Sequence, residues 1–131
     1  MTIKEVSEKY NISQDTLRYY ERVGMIPQVH RTGGIRDYQE DDLGWVELAI
    51  CMRSAGLPVE VMIEYVRLYM QGDSTIPDRL QLLLDQKVAL EAQMADTQRM
   101  LDKLEYKISR YQVVLKNWKL MENLILYVST L

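Results

Sequence analysis

The stretch from Pro77 to Trp118 constrains the fold of this chain more than any other feature, because no glycine or proline follows Pro77 in it. Steps of alternately three and four residues from Leu80 reach twelve positions, of which ten are apolar: Leu80, Leu83, Leu90, Met94, Leu101, Leu104, Ile108, Tyr111, Leu115 and Trp118. A globular surface helix seldom keeps a 3.5-residue period for so long, so the pattern predicts a left-handed coiled coil. At 1.5 Å per residue this helix would be about 60 Å long. Its apolar seam needs a partner, most simply a second copy, antiparallel or parallel, and we therefore expect a homodimer.

Composition limits the cellular setting. No apolar run approaches the roughly 20 residues that a membrane span needs, and the polar N-terminus MTIKEVSEKY lacks the apolar segment of a secretion signal. A single cysteine excludes an intramolecular disulfide framework. We therefore expect a cytoplasmic protein that does not associate with membranes.

The first 24 residues carry the signals of two short helices. Thr2 and Glu5 have the spacing of a capping box. Asn11 tolerates the left-handed backbone of a tight turn, Ser13 is placed to cap a second helix, and Gly24 is placed to end it. Two short helices joined by about three residues predict a helix-turn-helix.

The next stretch, QVHRTGGIRDY at residues 28–38, predicts a β-hairpin with a glycine turn, which we call the wing. His30, Arg31 and Arg36 flank the two glycines, so we expect a basic tip. Beyond it, a helix is predicted from Asp41 or Asp42 to Gly56, and another from Pro58 to Gly72.

The second helix of the helix-turn-helix has two faces. At about 100° per residue, Leu17, Tyr20 and Val23 cluster on the side that would face a core. Arg18, Tyr19 and Arg22 lie opposite. This face is either an ordinary solvated surface or one that contacts phosphates and base edges of nucleic acid. The net charge of −3 does not decide between them, since only the docking surface must be basic.

Three segments together resemble the N-terminal domain of the MerR family of transcription regulators: TLRYYERVGMI, RTGGIRDY and MRSAGLPVEVMIEY. The resemblance covers roughly residues 1–70. It implies a mainly α-helical fold with a small β-hairpin wing: a winged helix-turn-helix, a helical pair and a long antiparallel dimerisation coiled coil. The expected divisions are 1–70 for DNA binding, 71–77 as linker, 78–118 as dimerisation helix and 119–131 as a short effector or packing segment, folded as a separate short helix.

The same resemblance implies the function. A dimer would bind an inverted repeat of promoter DNA with an overlong spacer, and would activate RNA polymerase by distorting that DNA. DNA contacts are implied for Arg18, Tyr19, Tyr20, Arg36 and Tyr38, and we add Gln14 from helix geometry and Arg31 from the charge of the wing.

Cys51 is the candidate effector site. A lone cysteine in an apolar helix is ordinarily a small buried hydrophobe, and it supplies too few thiolates for a soft-metal site, so we expect no metal or other cofactor. However, ERVGMIP, GIRDY and ICMRSAGL resemble the single-cysteine MerR subgroup that responds to aldehydes, other electrophiles or nitrosative stress. This resemblance implies that Cys51 reacts with a small electrophile.

Other functions remain open at this stage. One alternative is a regulator of the same fold that binds an organic ligand non-covalently. Another is a DNA-bending protein that needs no effector. An enzyme is not expected, because no nucleophile can be paired with a base and no glycine-rich phosphate loop is present.

Overall fold

A computed structural model describes residues 1–131, and the chain divides into two compact units, Met1–Val88 and Ala89–Leu131. The secondary structure is almost entirely helical. In chain order the elements are α1 (Ile3–Tyr10), α2 (Gln14–Val23), β1 (Arg31–Thr32), β2 (Ile35–Arg36), α3 (Glu40–Ser54), α4 (Val59–Met70), a 3-10 turn (Asp73–Thr75) and α5 (Ile76–Thr130). None of these helices combines the length and apolarity that crossing a bilayer requires. The mainly helical fold with one antiparallel hairpin and a long C-terminal helix confirms the predicted fold class.

The caps of α1 and α2 form as the sequence predicts. The Thr2 hydroxyl accepts from the Glu5 backbone at 3.2 Å and the Glu5 carboxylate accepts from the Thr2 backbone at 3.1 Å, which completes the capping box. Asn11 ends α1 with a φ of 53°. The Ser13 hydroxyl accepts from the backbone of Thr16 at 3.0 Å at the start of α2. These caps fix the turn between the two helices, and hence the angle at which α2 is presented.

The core of the first unit joins α1 and α2 to α3 and α4. Val6, Leu17, Met25, Val46 and Met62 have no exposed surface. Burying each of these side chains contributes about 1.5–3 kcal/mol. Leu17 was predicted to face a core, and this is confirmed. The buried side of α2 therefore holds its opposite side towards solvent.

The wing turns at Gly33 and Gly34, whose φ angles are 60° and 79°. Both are positive, as a two-residue hairpin turn requires, which explains the glycine pair. Arg31 pairs with Arg36 and Thr32 with Ile35 in the antiparallel ladder. Each strand is only two residues long, so Tyr38, expected at the end of a strand, instead follows it in irregular backbone.

A buried carboxylate ties the base of the wing to α3. Asp42 is 5% exposed, and its Oδ2 atom lies 2.7 Å from Nδ1 of His30. The same oxygen accepts from the backbone of His30 at 3.3 Å and from that of Gln39 at 2.9 Å. Asp41 Oδ1 lies farther away, 3.8 Å from the imidazole. The bond to Asp42 raises the pKa of His30 above its ordinary 6.5, which favours the imidazolium. Because Asp42 is already hydrogen-bonded in this way, we interpret the cluster as an anchor for the wing.

The helical pair follows the predicted boundaries within a residue or two, with α3 beginning at Glu40 and Pro58 preceding α4. An aromatic cluster joins the two helices, because the Trp45 ring lies 4.9 Å from that of Tyr69 and 5.8 Å from that of Tyr65. Such edge-on pairs add about 0.5–1.5 kcal/mol beyond their area burial. This cluster fixes α4 against α3.

Two details of the C-terminal half differ from the sequence-based expectation. The segment at 71–77 is partly ordered, since it contains the 3-10 turn and the first residues of α5. The Thr75 hydroxyl, in this turn, donates to the Leu68 carbonyl at 2.6 Å. Residues 119–131 do not form a separate short helix, because α5 continues without a break past Trp118. No residue in this segment stops a helix, since it contains neither glycine nor proline.

Two glycine-to-alanine substitutions should shift stability in opposite directions. Gly24 has a φ of 86°, so Gly24→Ala should lower the free energy of unfolding by about 1 kcal/mol. Gly44 lies inside α3, and no atom lies within 4 Å of an added methyl group. Gly44→Ala should therefore raise the free energy of unfolding by about 0.5–1 kcal/mol, since alanine favours helix. Urea titration of both variants measures the difference; equal signs would contradict the backbone argument.

Stability should also depend on the protonation of His30, the single histidine of the chain. Because the folded pKa of His30 lies above the unfolded value of about 6.5, the contribution of the His30–Asp42 pair is complete below that value. It is lost as pH rises through the folded pKa. The melting temperature of the wild type should therefore fall as pH increases above about 6.5. In His30→Gln this part of the pH dependence should vanish; an unchanged profile would mean that the pair does not contribute.

Candidate nucleic-acid interface

The solvent-facing side of α2 carries two arginines one turn apart. The Arg18 guanidinium donates to Asp15 at 2.9 Å and to the side chain of Gln14 at 3.3 Å. The Arg22 guanidinium lies 5.6 Å from the centre of the Tyr19 ring, in a cation–π contact. Both cations are thus partly ordered before any ligand is present. Side chains held in this way lose less conformational entropy when they bind a second partner.

These groups suit a polyanion. Guanidinium groups make paired hydrogen bonds to phosphate oxygens and to the O6 and N7 atoms of guanine. Tyr19 is 37% exposed, so its hydroxyl can donate to a phosphate while its ring covers a sugar. Asp15 is exposed at the same face, and a carboxylate at this place accepts only from donors such as the cytosine amino group. The face therefore combines groups that attract phosphates with groups that distinguish bases.

The wing places its two arginines beside α2. Arg31 and Arg36 lie opposite each other in the ladder, and both face Glu21 of α2. The Arg36 Nε atom donates to Glu21 Oε1 at 2.8 Å, and Arg31 Nη2 lies 3.6 Å from the same oxygen. Arg31 Nη1 also donates to the Gly34 carbonyl in the turn at 3.2 Å, so one guanidinium lies between the turn and α2, and the neighbouring Ile35 is 72% exposed. The positive charge lies at the junction between the wing and α2.

Glu21 is the residue that sequence reasoning missed. It is 6% exposed, and its second carboxylate oxygen accepts from the backbone of Val29 at 2.7 Å. The sequence did contain a signal, since Glu21 is four residues after Leu17 and adjacent to Tyr20, which places it near the buried side of α2. A charged residue next to Arg22 is more readily interpreted as part of a solvated surface pair.

Two of the predicted contact residues are buried. Tyr20 is 8% exposed and Tyr38 is 2% exposed, and burial raises the pKa of both hydroxyls. In this conformation neither ring forms part of the open surface, and direct DNA contact by these two residues stays a prediction. The Tyr38 hydroxyl is buried without a hydrogen-bond partner, an arrangement that costs about 1–3 kcal/mol.

Cys51 differs from the ordinary expectation for a free cysteine. Its side chain is exposed, whereas its neighbour Met52 is buried. The thiol is therefore on the outer side of α3 and open to a reagent. Arg53, two residues further on, donates to the Leu57 carbonyl at 2.8 Å.

The second unit, Ala89–Leu131, consists of α5 alone, and its apolar side chains are open to solvent. Leu101, Leu104 and Ile108 are 44%, 58% and 47% exposed. The same holds for Met94, Tyr111, Leu115 and Trp118, and in the first unit for Leu80 and Leu83, whereas Leu90 is half-buried. An isolated soluble protein rarely leaves so large an apolar surface uncovered. The seam that the heptad pattern identifies is thus unpartnered within one chain.

Comparison with known proteins agrees with this architecture. Residues 1–69 match the family model described as MerR HTH family regulatory protein, and residues 44–106 match that described as MerR, DNA binding. The transcriptional regulator AdhR of Bacillus subtilis is 47% identical over 91 residues, which are 69% of this chain and 65% of AdhR. The chain therefore spans slightly less than two thirds of the length of that relative.

Two solved structures are similar over most of their length. A MerR family transcriptional regulator from Listeria monocytogenes is 38% identical with a TM-score of 0.83, covering 93% of this chain and 98% of the other. HiNmlR, described as a MerR family regulator lacking the sensor domain and bound to promoter DNA, is 36% identical with a TM-score of 0.78, covering 85% and 89%. From the family models, the relatives and the winged helix-turn-helix itself, we conclude that the chain belongs to the MerR family of DNA-binding transcription regulators.

Proposed function

We propose that this protein binds an inverted repeat in a promoter as a homodimer and activates transcription by distorting the DNA. The observation that carries the proposal is the arginine-bearing face of α2 beside the arginines of the wing. On each half-site, Gln14, Arg18 and Tyr19 would meet the major groove and its phosphates. Arg31 and Arg36 would contact the adjacent backbone.

The buried tyrosines have a supporting role in this proposal. Tyr20 packs on the core side of its own helix, α2. The unpaired hydroxyl of Tyr38 becomes available to an acceptor if the wing moves slightly on binding. A DNA phosphate oxygen is the acceptor that would satisfy it. Tyr38 would then contact DNA only in the complex.

The dimer follows from the exposed seam of α5. Covering its apolar side chains with those of a second chain would supply about 25 cal/mol for each Å² removed from water. We propose an antiparallel pair over 78–118, with 1–70 as the DNA-binding part, 71–77 as the connection and 119–131 as the packing or effector segment. Such a pair holds two DNA-binding parts at one spacing, as a twofold-symmetric operator requires.

Distortion of the promoter explains activation physically. If the spacer between the polymerase-binding elements is too long, bending and untwisting bring them into line for RNA polymerase. Deforming a site of this size costs of order 1–6 kcal/mol, which charge-assisted contacts from both subunits can offset. An effector needs to change this balance by only about 1–3 kcal/mol.

Removal of Arg18 tests the DNA-binding proposal. Arg18→Ala should weaken binding to the operator by about 1–3 kcal/mol, because it removes a phosphate or base contact. The matched control is Arg99→Ala, since Arg99 also pairs with an aspartate three residues earlier, Asp96, but lies on α5. Titration at two salt concentrations measures both variants. Equal effects would show that only net charge matters, and a wild type that binds without salt dependence would contradict the proposal.

Cys51 is our proposed sensor. It is exposed, it is the only thiol of the chain, and it lies on α3, the helix that follows the wing. Addition of the thiolate to an α,β-unsaturated aldehyde would form a C–S bond at the β-carbon, with a proton taken up at the α-carbon. The adduct adds bulk to the outer surface of α3. We propose that this change shifts the dimer towards the DNA-distorting state.

Substitution of Cys51 separates this mechanism from its alternatives. Cys51→Ser should bind the operator with nearly wild-type affinity but lose induction by an α,β-unsaturated aldehyde, measured by transcription in vitro. The matched control is Cys51→Ser with Ser54→Cys, which moves the thiol to an exposed position of the same helix; it should react with the aldehyde but should not restore induction. Full induction of Cys51→Ser would support a reversibly bound ligand. Constant output under all conditions would support a DNA-bending protein that needs no effector.

A further inference from the structure

The junction between the wing and α2 depends on one buried carboxylate. Glu21 accepts from Arg36 Nε and from the Val29 backbone with different oxygens, 2.8 Å and 2.7 Å away, while Arg31 Nη2 lies 3.6 Å from the first oxygen. The two donors and the third nitrogen belong to the wing or to the segment that leads into it, whereas Glu21 belongs to α2. The carboxylate thus spans the two elements that carry the positive charge.

We propose that Glu21 is a positioning residue for DNA binding, which orients Arg36 so that its two terminal nitrogens face a backbone phosphate. The bond to Glu21 uses Nε, and no group of the protein accepts from Nη1 or Nη2 of Arg36. The Arg36 side chain is 23% exposed, so its stem is fixed and its end is open. This inference rests on the proposed DNA contact of the wing.

The position of the two wing arginines opposite each other supports this role for Glu21. Arg31 and Arg36 are directly paired across the ladder, where like charges repel each other. A carboxylate between them compensates this repulsion and holds both guanidinium groups on the side of α2. Without Glu21 we expect them to separate into solvent, because Glu21 is the acidic partner of both guanidinium groups.

The substitution Glu21→Gln separates an effect of charge from an effect of positioning, because the two predict opposite changes in DNA affinity. Glu21→Gln removes a negative charge beside the DNA, so simple electrostatics predicts tighter binding. Positioning predicts weaker binding, because a glutamine side chain has one acceptor oxygen where the carboxylate has two. Either the Arg36 or the Val29 donor is then left without a partner.

The experiment uses the full-length protein and a duplex with the inverted repeat that the wild type selects from random sequence. Glu21→Gln should bind about tenfold more weakly, as expected for loss of a charge-assisted bond. The slope of log affinity against log salt should decrease by about 0.9, the value for one phosphate contact. Arg36→Ala should cause the same decrease, and the double variant should show no further one. Asp41→Asn, which removes an exposed carboxylate, is the charge control and should bind no more weakly than wild type.

Several outcomes would overturn the assignment. Tighter or unchanged DNA binding by folded Glu21→Gln would do so. So would a double variant whose loss of affinity equals the product of the losses in Glu21→Gln and Arg36→Ala. A purely structural role would lower the melting temperature but leave the salt slope of the folded protein unchanged. If Glu21→Gln does not fold, Arg36→Lys provides the test, because lysine keeps the charge but cannot bind Glu21 and a phosphate as a fork; wild-type affinity and slope would contradict the proposal. Failure of the wild type to bind any duplex would instead contradict the proposed function.

Discussion

The wing is held in place by buried carboxylates, and the geometry of the DNA-binding surface depends on them. A ladder of two residue pairs is too short to be stable alone. Glu21 fixes it from the side of α2, and Asp42 fixes it from the side of α3. Each carboxylate accepts from a backbone amide as well as from a basic side chain. The bonds to backbone amides fix the position of the wing backbone, and the bonds to basic side chains fix the orientation of those side chains.

The same arrangement explains how an acidic chain can present a basic surface. The chain has 16 basic and 19 acidic residues, yet Glu21 and Asp42 are turned inward and bonded to wing residues. Their charge is satisfied inside the protein, whereas the terminal nitrogens of Arg36 and the guanidinium groups of Arg18 and Arg22 remain accessible. The net charge of the chain is therefore a poor guide to DNA binding, and the distribution of buried and exposed charges is a better one.

Local signals in the sequence were sufficient for the elements but not for the contacts between them. Thr2, Ser13 and the two glycines of the wing turn act on their immediate neighbours, so their effects could be predicted from spacing alone. Glu21 and Asp42 are bonded to residues 8, 12 and 15 positions away in the chain, and no local pattern encodes these contacts. Burial was the ordinary interpretation of Cys51, because its helix is largely apolar, whereas the family resemblance implied a reactive thiol. Its exposure follows from the rotation of α3, which is set by tertiary packing.

The long helix shows how the two parts of the sequence make one functional unit. Its seam residues are exposed in the single chain, and this apolar surface favours association, whereas the bonds of Glu21 and Asp42 form within one chain and need no partner. Each DNA-binding part can thus have its final shape before the dimer forms. The proposed dimer would then add only the distance and symmetry between two such parts. If the proposed dimer bends its operator, a stiffly held wing can transmit force to the DNA where a loosely held one would yield. In the proposed mechanism, the buried carboxylates would then serve the distortion of DNA as well as its binding.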